Sequence, residues 1–431
     1  MRSRILTVFL LYFNLVLGYC VLICPLTLFA QQAKGVGTFH LNAVLNETSN
    51  VEDLRINILD AEKGAFAASV LDSIVYLPLE TNKESVFLKI DQLAVTAKYF
   101  IIMDEASNSI LIFTKGGQFH GKITSTKGSY QKIDKFLFDE ERQEIFVKDK
   151  KSPFVYYYSF EGEFLCKKEV LIRGTDQYKL TNGYSIFIVP VDMIFYGANS
   201  KYFHDISQCD CYRIAIIHDD KILNRFYLPV DTSNLAVNEL YDVDRNIFYN
   251  SNGSLLITLP YDYSVYEIAA EGVVNLKYRV ILPATQSLPW HFFDSAVYKG
   301  KRMEYIHNNM DAVYSITDVY ENGGLFSLRA ISSNSLNNCI FYNKHRQSVL
   351  SVADIQSDEV SYYLPVSENR IYGVSNEGAF ISSVSYAAIL KAKDQVKNVG
   401  SWTKKLPWPL RKTFNSKDPW NPVLTFLFFK K

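Results

Sequence analysis

Residues 101–119 read IIMDEASNSILIFTKGGQF, and residues 146–164 read FVKDKKSPFVYYYSFEGEF. The two stretches align without a gap at an offset of 45, so that Asp104 falls on Asp149, Ile110 on Val155, Phe113 on Tyr158, Gly117 on Gly162 and Phe119 on Phe164. A third copy, residues 256–274 (LITLPYDYSVYEIAAEGVV), places Gly272 on Gly117 and Val274 on Phe119, with Leu259 in place of the Asp. Upstream, Lys89-Ile90-Asp91 recurs as Lys132-Ile133-Asp134. Self-similarity at such a period marks a repeat architecture, in which each copy is one supersecondary unit.

Each copy has the same grammar. The apolar run Tyr99 to Met103 reads as a buried strand and Asp104 to Ser109 as a polar turn. Ile110 to Phe113 reads as a second strand, and the turn Lys115-Gly116-Gly117 opens a third at Phe119. Gly117, Gly162 and Gly272 stand where such a hairpin needs positive φ, and Asp104 and Asp149 stand where a turn needs an acceptor for backbone N–H groups. Adding the strand before each copy gives four antiparallel strands. One such sheet cannot bury both faces; packing sheets radially buries them and leaves only short edges.

Units of this kind fall at 86–123, 130–170, 179–229, 238–281, 308–352 and 361–390. The expected fold class is therefore all-β, a six-bladed β-propeller of four-stranded antiparallel blades over residues 73–392, with five or seven as the neighbouring counts. Residues 31–72 are less patterned and read as a leader packed on the outside or partly flexible. Residues 393–431 read as a C-terminal strap ending in a closing strand. Either Val75 to Leu79 or Val423 to Phe429 is expected to supply the strand that shuts the ring, and Ala387 to Val396 reads as a short helix after the last blade.

These residues resemble a known family. Asp104, Asn108, Ile110, Phe113 and Gly117 are similar to the NHL-type propeller repeat. More closely, the chain resembles the secreted six-bladed propellers of Bacteroides-type bacteria. That family opens on a segment like Val75-Tyr76-Leu77-Pro78-Leu79-Glu80-Thr81 and closes on an Asn-Pro-Val-Leu strand, here Asn421-Pro422-Val423-Leu424. The resemblance covers residues 73–431 and implies a fold and export to the periplasm or cell envelope; it implies no reaction. Many members carry a lipoprotein cysteine, from which this chain departs: Tyr19 and Ile23 precede Cys20 and Cys24, where a small residue is required.

Composition limits the function classes. The 431 residues carry 45 Lys+Arg against 45 Asp+Glu, which excludes a globally basic nucleic-acid binder. With 29 Tyr and 29 Phe the chain is too aromatic to be disordered, and it favours strands. Arg2 and Arg4 precede the uncharged run Ile5 to Ala30, which reads as a signal peptide, residues 1–30, cut after Ala30. An uncleaved membrane anchor is the competing reading, since the run is long enough to span a bilayer. Beyond it only Cys166, Cys209, Cys211 and Cys339 remain, too few for a disulfide-built scaffold, and their pairing is open. HDISQCDC at 204–211 lacks the second cysteine pair of a closed zinc site.

No catalytic motif is present: there is no G-x-S-x-G, H-E-x-x-H, P-loop or G-x-G-x-x-G. The seven His are scattered, and no metal ligand set stands out. Asp104 and Asp149 could ligate calcium, although their shared place in the repeat favours the turn role. Trp290-His291-Phe292-Phe293 lies in the long link between the fourth and fifth units, and Trp290 and His291 are the candidate ligand-binding residues. Trp402, Trp408 and Trp420 in the tail read as rings packed on the propeller. The expectation is an exported module that binds a peptide, a glycan or an envelope protein partner, with no catalysis, no cofactor and no nucleic acid. Its membrane contact would be limited to an uncleaved anchor. The alternative is a metal-dependent propeller hydrolase or lyase with calcium in the central channel, which rests on fold analogy alone.

Overall fold

The computed structural model of the chain describes residues 39–42, 46–125, 130–149, 152–169, 176–179, 184–189, 212–218, 223–236, 239–241, 246–249, 255–269, 272–334, 339–395, 399–414 and 420–430. The proposed signal peptide, His204, Cys209 and Cys211 lie outside these residues.

Six antiparallel sheets form a six-bladed propeller. Blade 1 is Gln92–Val95, Tyr99–Asp104, Ser109–Thr114 and Phe119–Thr124. Blade 2 is Ile133–Asp139, Glu144–Asp149, Phe154–Ser159 and Phe164–Glu169. Blade 3 is Asp176–Lys179, Tyr184–Ile188, Tyr212–His218 and Leu223–Pro229, and blade 4 is Ile247–Tyr249, Leu255–Thr258, Ser264–Ile268 and Val274–Ile281. Blade 5 is Val313–Asn322, Leu325–Ser332, Cys339–Asn343 and Ser348–Ser351. Blade 6 is composite: Gly373–Val374, Phe380–Val384, Val423–Phe429 and, outermost, Leu71–Pro78.

The continuous apolar runs follow from two-sided burial. In Tyr99–Asp104, Ile101 and Met103 pack toward blade 2, whereas Phe100 and Ile102 pack toward blade 6. Ile110 and Ile112 divide from Leu111 and Phe113 in the same way. A strand's side chains alternate between its faces, so a blade with neighbours on both sides needs every position apolar. The core is therefore divided into layers between blades, with blades 1 and 2, 3 and 4, and 6 and 1 each sharing one.

Ring closure uses both segments that the sequence offered as alternatives. Val423–Phe429 pairs with Phe380–Val384 on one side and with Leu71–Pro78 on the other. Asn421, fully buried, ties the opening and closing motifs together. Its Nδ2 donates to the carbonyls of Glu80 and Ser85, its Oδ1 accepts from Phe87 N–H, and its own N–H donates to Thr81 Oγ1, all at 2.9 Å. A helix at Tyr386–Gln395 follows blade 6, then helices at Val399–Lys405 and Trp408–Phe414.

The chain ahead of blade 1 runs around the circumference. Phe39–Asn42 pairs in parallel with the outer strand of blade 3, and Asn46–Arg55 pairs in parallel with that of blade 4. Glu62 and Phe66 then bridge in parallel to Leu350 and Gln356 beside blade 5, before Leu71–Pro78 becomes the outer strand of blade 6. This belt adds a fifth strand to blades 3 and 4, bridges to blade 5 and supplies the fourth strand of blade 6, where the sequence showed only an unpatterned leader.

Candidate functional site

In each blade the inner strand runs away from the end where it starts, and its neighbour returns. Links entering a blade and turns between its second and third strands therefore gather at one end of the axis. Asn108, in such a turn of blade 1, donates to Gln131 O and accepts from Ile133 N–H at the start of blade 2, both at 2.9 Å. Tyr261 N–H of blade 4 donates to Tyr314 O at the start of blade 5 (2.6 Å). Arg370, ahead of blade 6, donates to Ile90 O and Asp91 O ahead of blade 1. The described parts of the long connections between 230 and 246, 282 and 312, 352 and 372, and 385 and 422 belong to this face, whereas turns such as 96–98, 140–143 and 323–324 at the opposite end are tight. Toward that opposite end the rings of Phe138 in blade 2 and Tyr249 in blade 4 lie 5.1 Å apart.

The connection 282–312 is the most built-up part of the loop-bearing face. Arg302, in the short helix Arg302–Asn308, is fully buried. Its Nη1 meets Glu239 Oε1 at 2.5 Å, its Nε donates to Phe292 O (2.9 Å), and its Nη2 donates to Phe293 O and Ser295 O (both 2.8 Å). Glu239 also accepts from Ala236 N–H (2.6 Å) and from Gly300 N–H. A buried ion pair persists only when its remaining donors and acceptors are met, as here. Beneath lies an aromatic floor in which Tyr261 stacks on Phe293 and Tyr314 at 6.2 Å. Arg213 from blade 3 lies 4.7 Å from the Phe293 ring and donates to Pro260 O at 2.9 Å. Burial lowers the pKa of that guanidinium.

This clamp fixes the residues that follow Trp290 and His291. Phe292 and Phe293 are buried, whereas Trp290 is 86 % exposed. His291 holds φ +58°, a strained value for a non-glycine residue, and its carbonyl accepts from Asp294 and Ser295 N–H. Trp290 and His291 rings contact each other edge to face at 5.0 Å. The sequence pointed to Trp290 and His291 but not to Glu239 and Arg302. A carboxylate and a guanidinium so far apart in the chain give no local signal that they meet.

The turn residues are spread around the ring and do not converge on this site. Gly117, Gly162 and Gly272 have φ of +80°, +86° and +69°. Asp104, buried, accepts from Ser107 N–H in its own turn (3.2 Å), while its Oδ1 has no partner. Asp149 instead accepts from Gln131 N–H (2.5 Å) and Lys132 N–H (3.4 Å), holding the lead-in to the inner strand of its own blade. Among the described residues no group of three or more His, Cys, Asp or Glu is placed to hold a metal ion. Cys339 is buried, which raises the pKa of its thiol, and Cys166 is half-buried; both are free. In the tail, Trp402 and Trp420 are buried around Phe414, and Trp408 is exposed.

Among solved structures, the chain is similar to a putative exported protein from Bacteroides fragilis (15% identity, TM-score 0.64, covering 88% of this chain and 100% of that one). It is more distantly similar to a member of the DUF4221 family from Bacteroides vulgatus (10% identity, TM-score 0.42, 84% and 97% covered) and to a streptogramin B lyase (12% identity, TM-score 0.36, 74% and 96% covered). The first likeness shows the fold; the other two are too remote to carry an argument. No curated protein matches the chain. The model of the family described as "Domain of unknown function (DUF4934)" matches residues 54–427, from within the belt into the last strand of blade 6, and the chain belongs to that family.

Proposed function

We propose that this protein is an exported binding module that captures a peptide, a glycan or an envelope partner on its loop-bearing face, without catalysis. One observation carries the reading: Trp290 is held almost fully in solvent on a loop anchored by a buried ion pair. A flat ring on a rigid base loses little conformational freedom on binding, and it offers a surface for sugar or peptide faces to stack on. Export is supported by Arg2 and Arg4 ahead of the uncharged run to Ala30, and by the likeness to a putative exported protein.

The test is a screen of purified protein on glycan and peptide arrays, followed by titration of any hit with the Trp290→Ala variant. Trp290→Ala is expected to weaken binding at least about tenfold while leaving Tm unchanged, because the ring stacks on ligand and not on the core. A ligand bound equally by both proteins would remove this face as the site, and no ligand at millimolar concentration would remove the small ligands and leave an envelope protein as the partner.

A further inference from the structure

A second charged cluster stands apart from the connection 282–312, where blade 5 meets the lead-in to blade 6. In the inner strand of blade 5, Thr317 pairs with Arg329 and Tyr320 with Ser327, so that Asp318 and Val319 oppose Leu328 alone. Such a bulge re-aims a side chain, and Asp318 holds φ +49°, a strained value for a non-glycine residue. Its buried carboxylate Oδ2 lies 3.8 Å from Arg329 Nη1 and 3.9 Å from Arg370 Nε, beyond hydrogen-bond reach of both. Both Nε atoms are buried without a partner. Arg370 still donates to Ile90 O and Asp91 O, whereas the Arg329 guanidinium makes no hydrogen bond among the described residues. Solvent nevertheless reaches both side chains, 27 % exposed for Arg329 and 16 % for Arg370. Cys339 lies opposite Arg329 in the register. Burial chiefly raises the pKa of its thiol and Asp318 adds to the rise, while Arg329 and Arg370 oppose it, so all three charges bear on one spot. There is room beside them: the inner strand of blade 6, Gly373–Val374, has 2 residues, and nothing lies within 4 Å of the Cβ position of Gly373.

We propose that Arg329 and Arg370 hold the carboxylate group of a small ligand where blades 5 and 6 meet. A guanidinium is a planar fork whose paired N–H donors match a carboxylate, and the Nη donors of Arg329 have no other acceptor among the described residues. Asp318 draws the two like charges together, yet its Oδ2 is too far from either to accept a hydrogen bond. Charge selects the ligand. Arg329 and Arg370 against Asp318 leave one positive charge uncompensated. Asp91, whose carbonyl Arg370 holds, does not cancel it, because the Asp91 carboxylate pairs with Lys89 Nζ (2.9 Å) and accepts from Glu105 N–H (2.9 Å). A monoanionic carboxylate balances that single charge, whereas a phosphate dianion exceeds it and is repelled by Asp318. This site goes beyond the role given to Trp290 and stands or falls without that ring.

The experiment is isothermal titration calorimetry of the full chain with sodium acetate at neutral pH, the ionic strength held constant with chloride, and in parallel with inorganic phosphate. Acetate is expected to bind at one site per chain in the millimolar range, and phosphate more weakly. Arg329→Gln should weaken acetate at least about tenfold with Tm in chloride unchanged, because that guanidinium makes no hydrogen bond within the fold. Asp318→Asn keeps a residue that tolerates positive φ and removes the competing carboxylate. It should tighten acetate at least about threefold and bring phosphate binding up to match. Trp290→Ala should bind acetate as the wild type does, which separates this site from the exposed ring. No acetate binding, equal binding by wild type and Arg329→Gln, or weaker binding by Asp318→Asn would overturn the proposal. Phosphate bound more tightly than acetate by the wild type would overturn the assignment to a carboxylate.

Discussion

Gly117 satisfies two constraints at once. Its φ is +80°, and a Cβ built on it would lie 2.5 Å from Pro78 O of the preceding blade. Gly162 and Gly272 repeat this, with Lys122 O at 3.0 Å and Ile216 Cγ2 at 2.8 Å, again across a blade boundary. The recurring glycine therefore sets how closely neighbouring blades approach, as well as turning a hairpin. Gly300 separates the two effects: its φ is +73°, yet nothing lies within 4 Å of its Cβ position. Gly117→Ala should destabilise by about 2–3 kcal/mol and Gly300→Ala by only about 1 kcal/mol, read as shifts in urea midpoint. Equal losses would show that backbone conformation alone matters at Gly117.

At the scale of elements, the belt is held to blades 4 and 5 by one ionic network. Lys344 Nζ donates to Glu321 Oε1 (2.6 Å), Tyr278 Oη (2.9 Å) and Glu52 Oε2 of the belt (3.1 Å). Lys277 joins Glu267 (2.8 Å) to Glu321 (3.4 Å). Burial alone would raise the Glu321 pKa, but the hydrogen bonds from Lys344 and Tyr278 and the charges of Lys344 and Lys277 hold it below its ordinary value of 4.5. A carboxyl depressed in the folded state adds stability that is present above pH 4.5 and lost as pH falls through the lower folded value. Glu321→Gln should therefore be less stable than wild type at neutral pH, and the difference should shrink as the pH is lowered below 4.5 in urea titrations. A difference independent of pH would show that the network's charge is irrelevant to the fold.

For the molecule as a whole, closure is the step that turns six sheets into a ring. Asn421 makes it chemically, since removal of its amide would leave Phe87 N–H and the carbonyls of Glu80 and Ser85 without that partner in a buried site. Asn421→Ala is expected to cost about 2–4 kcal/mol and to lower Tm measurably by calorimetry. An unchanged Tm would mean that strand pairing alone shuts the ring. The blades were legible in the sequence because the inner strands must be apolar on both faces and the hairpins of blades 1, 2 and 4 need their glycine, so local rules repeat visibly at Gly117, Gly162 and Gly272. Trp290 was legible as an aromatic in a long link, but its exposure was not, because that depends on Arg302 meeting Glu239. The belt was illegible because a strand added at an edge needs only backbone pairing, and Asn46–Arg55 shows no apolar alternation to betray it. The sequence by itself thus determined the repeat and the motifs that meet at closure, and it favoured six blades over five or seven. Only the tertiary structure decided which edges are covered, which loop is clamped and which ring faces water, since those outcomes rest on contacts between residues that share no local pattern.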